Sequence, residues 1–204
     1  LFPYTTLFRS KTTVLFKEDW HKGVVGIVAA RCIEQYYRPT IILTAAGGKA
    51  TGSARSVVGF NIYEALTACK DLLDQYGGHA HAAGLTLPLE NVAAFQERFE
   101  AVVAHSIQDD LLIPTQEVDL SLSFEMIDFK FYNILKQMAP FGNGNMKAVF
   151  VTDPVIASSY SVLQDKHLKL SVHQPGVHHK LAAIGFGLAK YEPMVRDQKP
   201  FSMV

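Results

Sequence analysis

Short apolar runs alternate with segments of helical apolar spacing along the first half of the chain. Residues 12–16 and 40–44 are β-branched and apolar, and they predict strands, the second of them covered on both faces. Residues 24–37 are apolar nearly all round and predict a buried helix, which ends before a proline because the preceding residue avoids the helical region. Residues 49–56 predict a further strand or an extended loop.

Two amphipathic helices come next in the predicted order. The first covers 61–76, with Asn61 as N-cap, Glu64 as its capping-box partner and Gly77 suited to the left-handed position after the helix. A short strand and a helix from about 91 to 107 follow it. This β-α-β-β-α-β-α order predicts a small mixed α/β sheet flanked by helices.

The pattern changes after a polar, proline-terminated stretch at 108–114. Alternating apolar residues at 118–122 predict a half-solvated strand, and 124–138 has helical spacing. A dense turn at 140–145 precedes more strand candidates, which lie at 148–152, 155–163, 167–173 and 180–186. Close-set strands with glycine and proline turns predict a mainly-β barrel or sandwich, truncated before it closes.

The chain thus divides into three predicted parts. Residues 1–10 fit nothing that follows and are expected to be a non-native or unstructured leader. Residues 11–110 form the predicted α/β domain, and residues 114–204 form the mainly-β domain. Because the chain begins without methionine and stops without a terminal signal, we expect it to be a fragment.

Composition adds little about ligands. Nineteen basic residues balance nineteen acidic ones, so a nucleic-acid site would have to be a local patch on an ordinary globular protein. No apolar run approaches the roughly 18 residues of a membrane span, and no signal peptide is evident, so we expect a cytoplasmic protein. Cys32 and Cys69 are expected to be buried thiols, with a disulfide as the alternative.

An arginine between two hydroxyl residues forms one candidate site. Arg55, flanked by Ser53 and Ser56, offers a planar fork and short donors that suit a phosphate or carboxylate. The alternative is an ordinary solvated turn arginine. One predicted helix separates this segment from the glycine-histidine stretch at 77–84, so both can lie at the same edge of the sheet.

The glycine-histidine stretch is the second candidate site. Gly77 and Gly78 allow a ligand to approach the main chain, and His79 adds an imidazole donor. The alternatives are a glycine helix cap before a buried small-residue strand, or a metal pair of His79 and His81, which lacks nearby Cys, Asp or Glu to complete its shell. A phosphate-facing role for His79 is the preferred interpretation.

Other candidates carry less information. Trp20 and His21 suit either a stacking surface or a core tryptophan with a capping histidine, and 178–179 is assigned to a turn. The sequence contains no phosphate-loop motif, nucleophile elbow or paired Cys-x-x-Cys, and no Asp and His cluster for two metals. The chain therefore has phosphate-type donors without the groups that hydrolysis needs.

These residues resemble a known family. The patterns Gly-Gly-His-x-x-Ala-Ala-Gly at 77–84 and Gly-Ser-Ala-Arg-Ser at 52–56 resemble the DHH-associated domain of DHH phosphoesterases. More specifically, residues 20–29 and 139–145 look like the RecJ single-strand exonucleases, which end in an OB-fold. Three features depart from that family: the metal-holding DHH domain is missing, the OB-like part is truncated, and 146–148 lacks an expected proline.

The resemblance implies a mechanism and a set of site residues. The full enzyme would remove nucleotides from single-stranded DNA in the 5′ to 3′ direction, with Mn²⁺ or Mg²⁺ assisting water attack, in DNA repair and recombination. His79 is the implied catalytic residue, because it would neutralise the phosphoryl group as charge develops. The implied phosphate-binding set is Ser53, Arg55, Ser56, Gly77, Gly78 and His79. No metal ligand is assigned to this chain, and the fragment alone is expected to be inactive.

The resemblance also implies partners. Single-stranded DNA is the expected partner of the OB-like domain, which would bind it through stacking and backbone charge. Phe141 and Tyr160 are candidates for stacking, with core packing as the alternative. Single-strand-binding protein is a further candidate partner, and we expect a monomer without a membrane association.

Two other kinds of function stay open from the residues. The first is a non-catalytic nucleic-acid-binding accessory module, for example of a synthetase. The second is part of another DHH-type phosphodiesterase, one acting on short oligoribonucleotides or cyclic dinucleotides. A completed OB-fold after Pro140 would favour the exonuclease.

Overall fold

A computed structural model describes residues 10–204, so all but the last residue of the predicted leader lies outside the described residues. The chain forms two compact units, one ending at Thr115 and the other beginning at Gln116. The sequence-based domain ranges stay predictions. Within residues 10–204, every helix is too short or too polar to cross a bilayer.

The first unit is built on a five-stranded sheet with the order β1-β2-β3-β5-β4. β1 and β2 pair in parallel, and the other neighbouring strands of this sheet pair antiparallel. A mixed sheet was predicted, and it is confirmed. The strands are β1 (Thr13–Phe16), β2 (Thr40–Ala46), β3 (Lys49–Arg55), β4 (Gln75–His79) and β5 (Ala82–Pro88).

Helices cover both faces of this sheet. Helix α1 (Val25–Tyr36) connects the two parallel strands and packs through its buried side chains on the face that carries Ile42. Helices α2 (Ile62–Thr67) and α3 (Val92–Ser106) cover the other face, where the main core lies. The largest fully buried side chains of that core are Phe95, Phe99, Ile41, Leu43, Ile62, Leu66 and Leu87.

The predicted helix over 61–76 is wrong beyond its first turns. Asn61 caps α2 as predicted, since its side chain accepts from the N–H groups of Tyr63 and Glu64 and its amide donates to the Glu64 carboxylate at 2.8 Å. The helix ends at Thr67, a 3-10 turn follows, and β4 then pairs with β5. Pairing with β5 holds Gln75–His79 extended, so tertiary strand pairing overrides the local helical spacing at the end of the predicted helix.

The second unit is a mainly-β unit with an open sheet, β10-β7-β8-β9, in which β6 also pairs with β7. Its strands do not close into a barrel within the part of the chain described. The predicted strands at 148–152 and 155–163 are one long strand. Phe124, Val155 and Val172 form its main core cluster. The elements are β6 (Leu120–Ser121), α4 (Phe129–Gln137), β7 (Phe150–Leu163), β8 (His167–His173), β9 (Lys180–Gly185), α5 (Glu192–Arg196) and β10 (Phe201–Met203).

Both cysteines are free thiols, so the disulfide alternative is wrong. Cys69 is fully buried in the main core, whereas Cys32 is half-buried. Desolvation by burial raises the pKa of the Cys69 thiol to about 11, so it stays protonated and acts as a small apolar side chain.

A carboxylate joins the start of β1 to α3. Glu100 accepts hydrogen bonds from the hydroxyls of Ser10 and Thr12, both at 2.5 Å, and from the N–H groups of Lys11 and Thr12 at 2.8 and 3.0 Å. Desolvation by burial raises the pKa of the Glu100 carboxyl, but these hydrogen bonds outweigh it and the net pKa lies below the usual range. The ionised form is therefore favoured in the folded state.

We expect Glu100→Gln to lower the free energy of unfolding by about 1 kcal/mol at neutral pH, a value reduced for partial exposure of the carboxylate. A lowered pKa gives stability that is complete above the pKa of an unfolded glutamate and is lost as the pH falls through the folded-state pKa. The difference from wild type should therefore shrink under acid, as measured by urea unfolding across pH. The control is Glu97→Gln, because Glu97 is an exposed residue of the same helix. An equal loss of unfolding free energy in both variants would contradict this role of Glu100.

Candidate phosphate-binding site

Strand register brings Arg55 and His79 to one face of the first sheet. Arg55 pairs with Ala82 across β3 and β5, and Ala82 pairs with His79 across β5 and β4. Directly opposed residues of antiparallel strands point to the same face, and two strand spacings put the two Cα atoms roughly 10 Å apart. The guanidinium and the imidazole therefore belong to one surface.

The next set of cross-strand paired residues on the same face consists of small residues. Ser53 pairs with Gly84, and Gly84 pairs with Gly77, one pleat along from Arg55. This is the face on which α1 packs, whereas Ala54 and Ala83 between these rows point into the main core. Ser53 and Arg55 are half-buried, and the glycines are exposed. The polar row and the apolar core thus lie on opposite faces of the same strands.

The start of α1 lies against Ser53 and Arg55. A Cβ atom placed on Gly26 would be 3.1 Å from Arg55 Nη2 and 3.2 Å from Ser53 Oγ. No side chain caps this end of the helix, whose first-turn N–H groups lack intrahelical partners and carry the positive end of the dipole. Gly26 was not predicted as part of the site, although the absence of a capping residue before residue 25 was a usable signal in the sequence.

Arg55 is oriented by the main chain rather than by a carboxylate. Its Nη1 donates to the Ala54 carbonyl at 2.8 Å. The ion pairs within residues 10–204 do not include Arg55. An arginine that forms no ion pair with a described carboxylate and lies beside a helix N-terminus is suited to an external anion.

His79 has a defined orientation at the end of β4. Its Nδ1 accepts from the His81 N–H at 3.3 Å, so the neutral ring carries its proton on Nε2. The turn between β4 and β5 is fixed by two backbone bonds: Ser56 N–H donates to the His81 carbonyl and Ile62 N–H to the Ala80 carbonyl. His79 is exposed and can donate from Nε2 to a ligand.

Three predicted members of the site, Ser56, Gly77 and Gly78, have structural roles of their own. The Ser56 hydroxyl donates to the Phe60 carbonyl at 2.7 Å, so its proton is already used in a turn. Gly77 and Gly78 lie in a strand and not in a loop after a helix, which corrects their predicted setting. Gly78 has φ +146°, and a Cβ there would lie 2.3 Å from the Ala82 carbonyl oxygen.

The described residues add no further ligand to the alternative in which His79 and His81 bind a metal ion. Among the residues the structure describes, no group of three or more His, Cys, Asp or Glu side chains could hold a metal ion. The His79 and His81 ring centroids are 6.0 Å apart in an edge-on arrangement. The donor set around Arg55 is cationic and hydroxylic, which suits an anion rather than a divalent cation.

The remaining sequence candidates have structural partners. The Trp20 carbonyl accepts from the Thr44 hydroxyl at 2.6 Å, and His21 Nδ1 accepts from the Gly23 N–H at 3.1 Å. Trp20 is half-buried against the cluster of Val25, Ala29 and Ile42, which supports the core and capping interpretation of the pair. In the second unit, His179 Nε2 lies 2.8 Å from the Phe124 carbonyl oxygen.

Comparison with known families defines the class of protein. A model of the DHHA1 domain matches residues 9–105, and a model of the RecJ OB domain matches residues 118–204. The chain is therefore a DHHA1 domain, with a candidate anion site on its sheet, followed by an OB domain of the RecJ type.

Individual relatives agree with this class. The chain is 36% identical over 195 residues to the single-stranded-DNA-specific exonuclease RecJ of Bacillus subtilis, which covers 94% of this chain and 25% of that protein. It is 31% identical over 197 residues to RecJ of Escherichia coli, covering 89% of this chain and 33% of that protein. The chain therefore belongs to the RecJ family, and it spans about a quarter to a third of the length of these relatives.

Solved structures support the same assignment. RecJ from Thermus thermophilus in complex with Mg²⁺ superposes with a TM-score of 0.69 at 28% identity, covering 87% of this chain and 29% of that one. The same protein in complex with Mn²⁺ also gives 0.69, at 25% identity, covering 89% and 29%. The predicted resemblance and fold class are confirmed.

We expect Gly78→Ala to lower the free energy of unfolding by about 1–3 kcal/mol, because its φ and the adjacent β5 backbone leave no place for a Cβ. Gly77→Ala is the matched control: no atom lies within 4 Å of its added Cβ, and its stability should stay within about 0.5 kcal/mol of wild type. Chemical denaturation of both variants makes the comparison. Equal stabilities would show that β4 does not have the described geometry.

Proposed function

We propose that this chain is the substrate-binding part of a 5′ to 3′ single-stranded-DNA exonuclease of DNA repair and recombination. The observation that carries the proposal is the cross-strand row that puts Arg55 and His79 on one sheet face, beside the uncapped start of α1. RecJ relatives whose names describe single-stranded-DNA-specific exonucleases match most of the chain. Because the chain covers only part of them, the activity of the whole enzyme is itself part of the proposal.

In this proposal, each polar group has a separate task. Arg55 binds the non-bridging oxygens of a backbone phosphate, with the Ser53 hydroxyl and the start of α1 as further donors. His79 donates from Nε2 to the phosphoryl group as negative charge develops, which makes it the catalytic residue of this chain. Ser56 positions the β4–β5 turn through its backbone N–H, and the Gly77 and Gly78 backbone completes the surface.

The hydrolytic metals lie outside this set of residues. RecJ structures with Mg²⁺ and with Mn²⁺ support a divalent metal in the full enzyme. The groups around Arg55 do not fit such an ion, because they lack the carboxylate oxygens that hard cations prefer. We therefore assign the metals to another domain of the enzyme, and we route no step of this site through them.

The second unit has a surface suited to stacking. Tyr132 on α4 is 55% exposed, and Lys136 Nζ lies 5.7 Å from the centre of its ring. Phe141 and Lys147 line the same small depression of about 210 Å³. Aromatic faces beside cations bind single strands with little sequence preference, which favours Tyr132 with Phe141 over Tyr160 as the stacking group.

The match to a RecJ OB domain supports the exonuclease over the two alternatives, a synthetase-type accessory module and another DHH-type phosphodiesterase. A cytoplasmic location, a monomeric state and association with single-strand-binding protein stay predictions.

We expect Arg55→Gln to weaken binding of a labelled oligothymidylate to this chain about tenfold, because a charge-assisted contact to phosphate is lost. The slope of log K against log salt should also fall by about 0.7 for each phosphate contact removed. Fluorescence anisotropy across a salt series measures both quantities.

The control is Arg98→Gln, an exposed arginine of α3 on the opposite side of the sheet, 3.6 Å from Asp71. That variant should keep the wild-type affinity and salt slope. If both substitutions changed the affinity and the salt slope equally, Arg55 would be an ordinary solvated arginine and not a phosphate ligand.

We also expect the chain alone to release no nucleotides from single-stranded DNA with Mn²⁺ or Mg²⁺. The physical reason is that its described residues offer no ligand cluster for the metals that activate water. Gel analysis of end-labelled DNA tests this, with a full-length RecJ as positive control. Metal-dependent digestion by the purified chain would refute the proposal that this chain binds substrate while another domain holds the metals that activate water.

A further inference from the structure

The tight turn between α4 and β7 contains the only asparagine of the chain that precedes a glycine. Of the five asparagines in the sequence, Asn143 is followed by Gly144, and each of the other four is followed by a residue with a larger side chain. Gly142 and Asn145 exchange both backbone hydrogen bonds at 2.9 Å, so Asn143 and Gly144 are the two central residues of the turn. Gly144 has φ +80°, a conformation typical of glycine at this position of a tight turn. Both central residues are exposed.

Two groups of this turn can react with each other, and neither is engaged elsewhere. Within residues 10–204, the Asn143 side-chain amide and the Gly144 N–H have no hydrogen-bond partner. Glycine has no side chain to shield its nitrogen, so that nitrogen can approach the side-chain carbonyl carbon of the preceding residue. Because both groups belong to one short segment, the attack is intramolecular and gains from proximity. The exposed turn also gives water free access to the product of that attack.

Asn145, at the end of the same turn, provides an internal comparison. Its side-chain amide donates to the Met138 and Pro140 carbonyls, both at 2.9 Å, and the next residue is Met146. These hydrogen bonds fix its side chain, and the methionine side chain shields the nitrogen that would have to attack it. Asn145 therefore has a structural role that connects the turn to the end of α4, whereas the Asn143 side chain makes no such contact with the described residues.

We propose that Asn143 is a site of spontaneous covalent modification, at which the Gly144 nitrogen attacks the side-chain carbonyl carbon of Asn143 and the product alters the DNA-binding surface of the second unit. The new C–N bond closes a five-membered succinimide ring. The bond from the same carbon to the amide nitrogen breaks, and ammonia leaves with the proton of the Gly144 N–H. Water then opens the ring at either carbonyl, which leaves aspartate or isoaspartate. The net reaction consumes one water and releases one ammonia, without an enzyme, an oxidant or a reductant.

The modification changes the surface that the proposed function assigns to single-stranded DNA, and this part of the inference rests on that function. Asn143 lies in the segment that joins Phe141 to Lys147, and both of these residues line the depression assigned to stacking. Either product adds a negative charge to an exposed turn of this segment. Isoaspartate also lengthens the backbone between Gly142 and Asn145, so the paired ends of the turn must move. Conversion therefore weakens the binding of a negatively charged strand.

Incubation of the full chain at mildly alkaline pH, followed by trypsin digestion and mass spectrometry, tests the chemistry. Cleavage after Lys136 and Lys147 leaves Asn143 and Asn145 in one peptide, so fragment ions assign the mass gain to one of the two positions. Relative to a chain digested without incubation, we expect the gain at Asn143 and an unchanged Asn145. Asn143→Gln is the matched control, because glutamine would have to close a less favourable six-membered ring, and it should stay unmodified. No gain at Asn143, or an equal gain at Asn145, would refute the modification site.

Binding of a labelled oligothymidylate before and after the same incubation tests the consequence. We expect the converted chain to bind about threefold more weakly, as for the change of one surface charge near a phosphate, and Asn143→Gln to keep its affinity throughout. Asn143→Asp carries the charge without the backbone change and should also weaken binding. If the converted chain kept the affinity of the fresh chain, the effect on binding would be overturned and the modification site would stand. If the fresh chain bound no DNA, the proposed function and the effect on binding would both fail, whereas the peptide masses would still decide the modification.

Discussion

The antiparallel register between β3, β5 and β4 is the constraint on which this site depends. Arg55 pairs with Ala82 and Ala82 pairs with His79, so these two consecutive pairings place both candidate site residues on one face of the sheet. A slip of one residue in either pairing would turn one of them into the core, because side chains alternate between faces. The apolar residues of the core face oppose that slip. Burial of Ala54, Ala83 and Leu85 therefore stabilises the fold and aligns the polar residues on the reverse of the same strands.

The site combines hydrogen-bond donors of different physical origin. The guanidinium of Arg55 is a full charge, the start of α1 carries a partial positive charge from the backbone, and His79 offers its Nε2–H because its Nδ1 accepts from the His81 N–H. The short turn after His79 is itself fixed by the Ser56 and Ile62 N–H groups. Donors held in place before an anion arrives lose little entropy on binding it. This arrangement suits recognition of a backbone that all nucleotides share.

Sequence reasoning was accurate where one local signal dominated. The strand at β2, the helix at α1 and the Asn61 cap each follow from residues close together in the chain. It was wrong at β4, because a short edge strand with two glycines has no apolar alternation, and its partner β5 determines its conformation. The choice of Arg55 and His79 came from residue type and resemblance, but their shared face is a property of register. The use of the Ser56 proton in a turn and the position of Gly26 required coordinates.

The placement of the two glycines at the sheet edge has a consequence for association between molecules. β4 is the outermost strand, so its outward backbone groups form the kind of edge that can pair with a strand of another chain. Gly77 and Gly78 offer an incoming strand no side chains to pack against, and Gly78 holds a conformation that other residues rarely adopt. The same bare backbone thus gives a poor template for sheet extension, which disfavours edge-to-edge association at this strand.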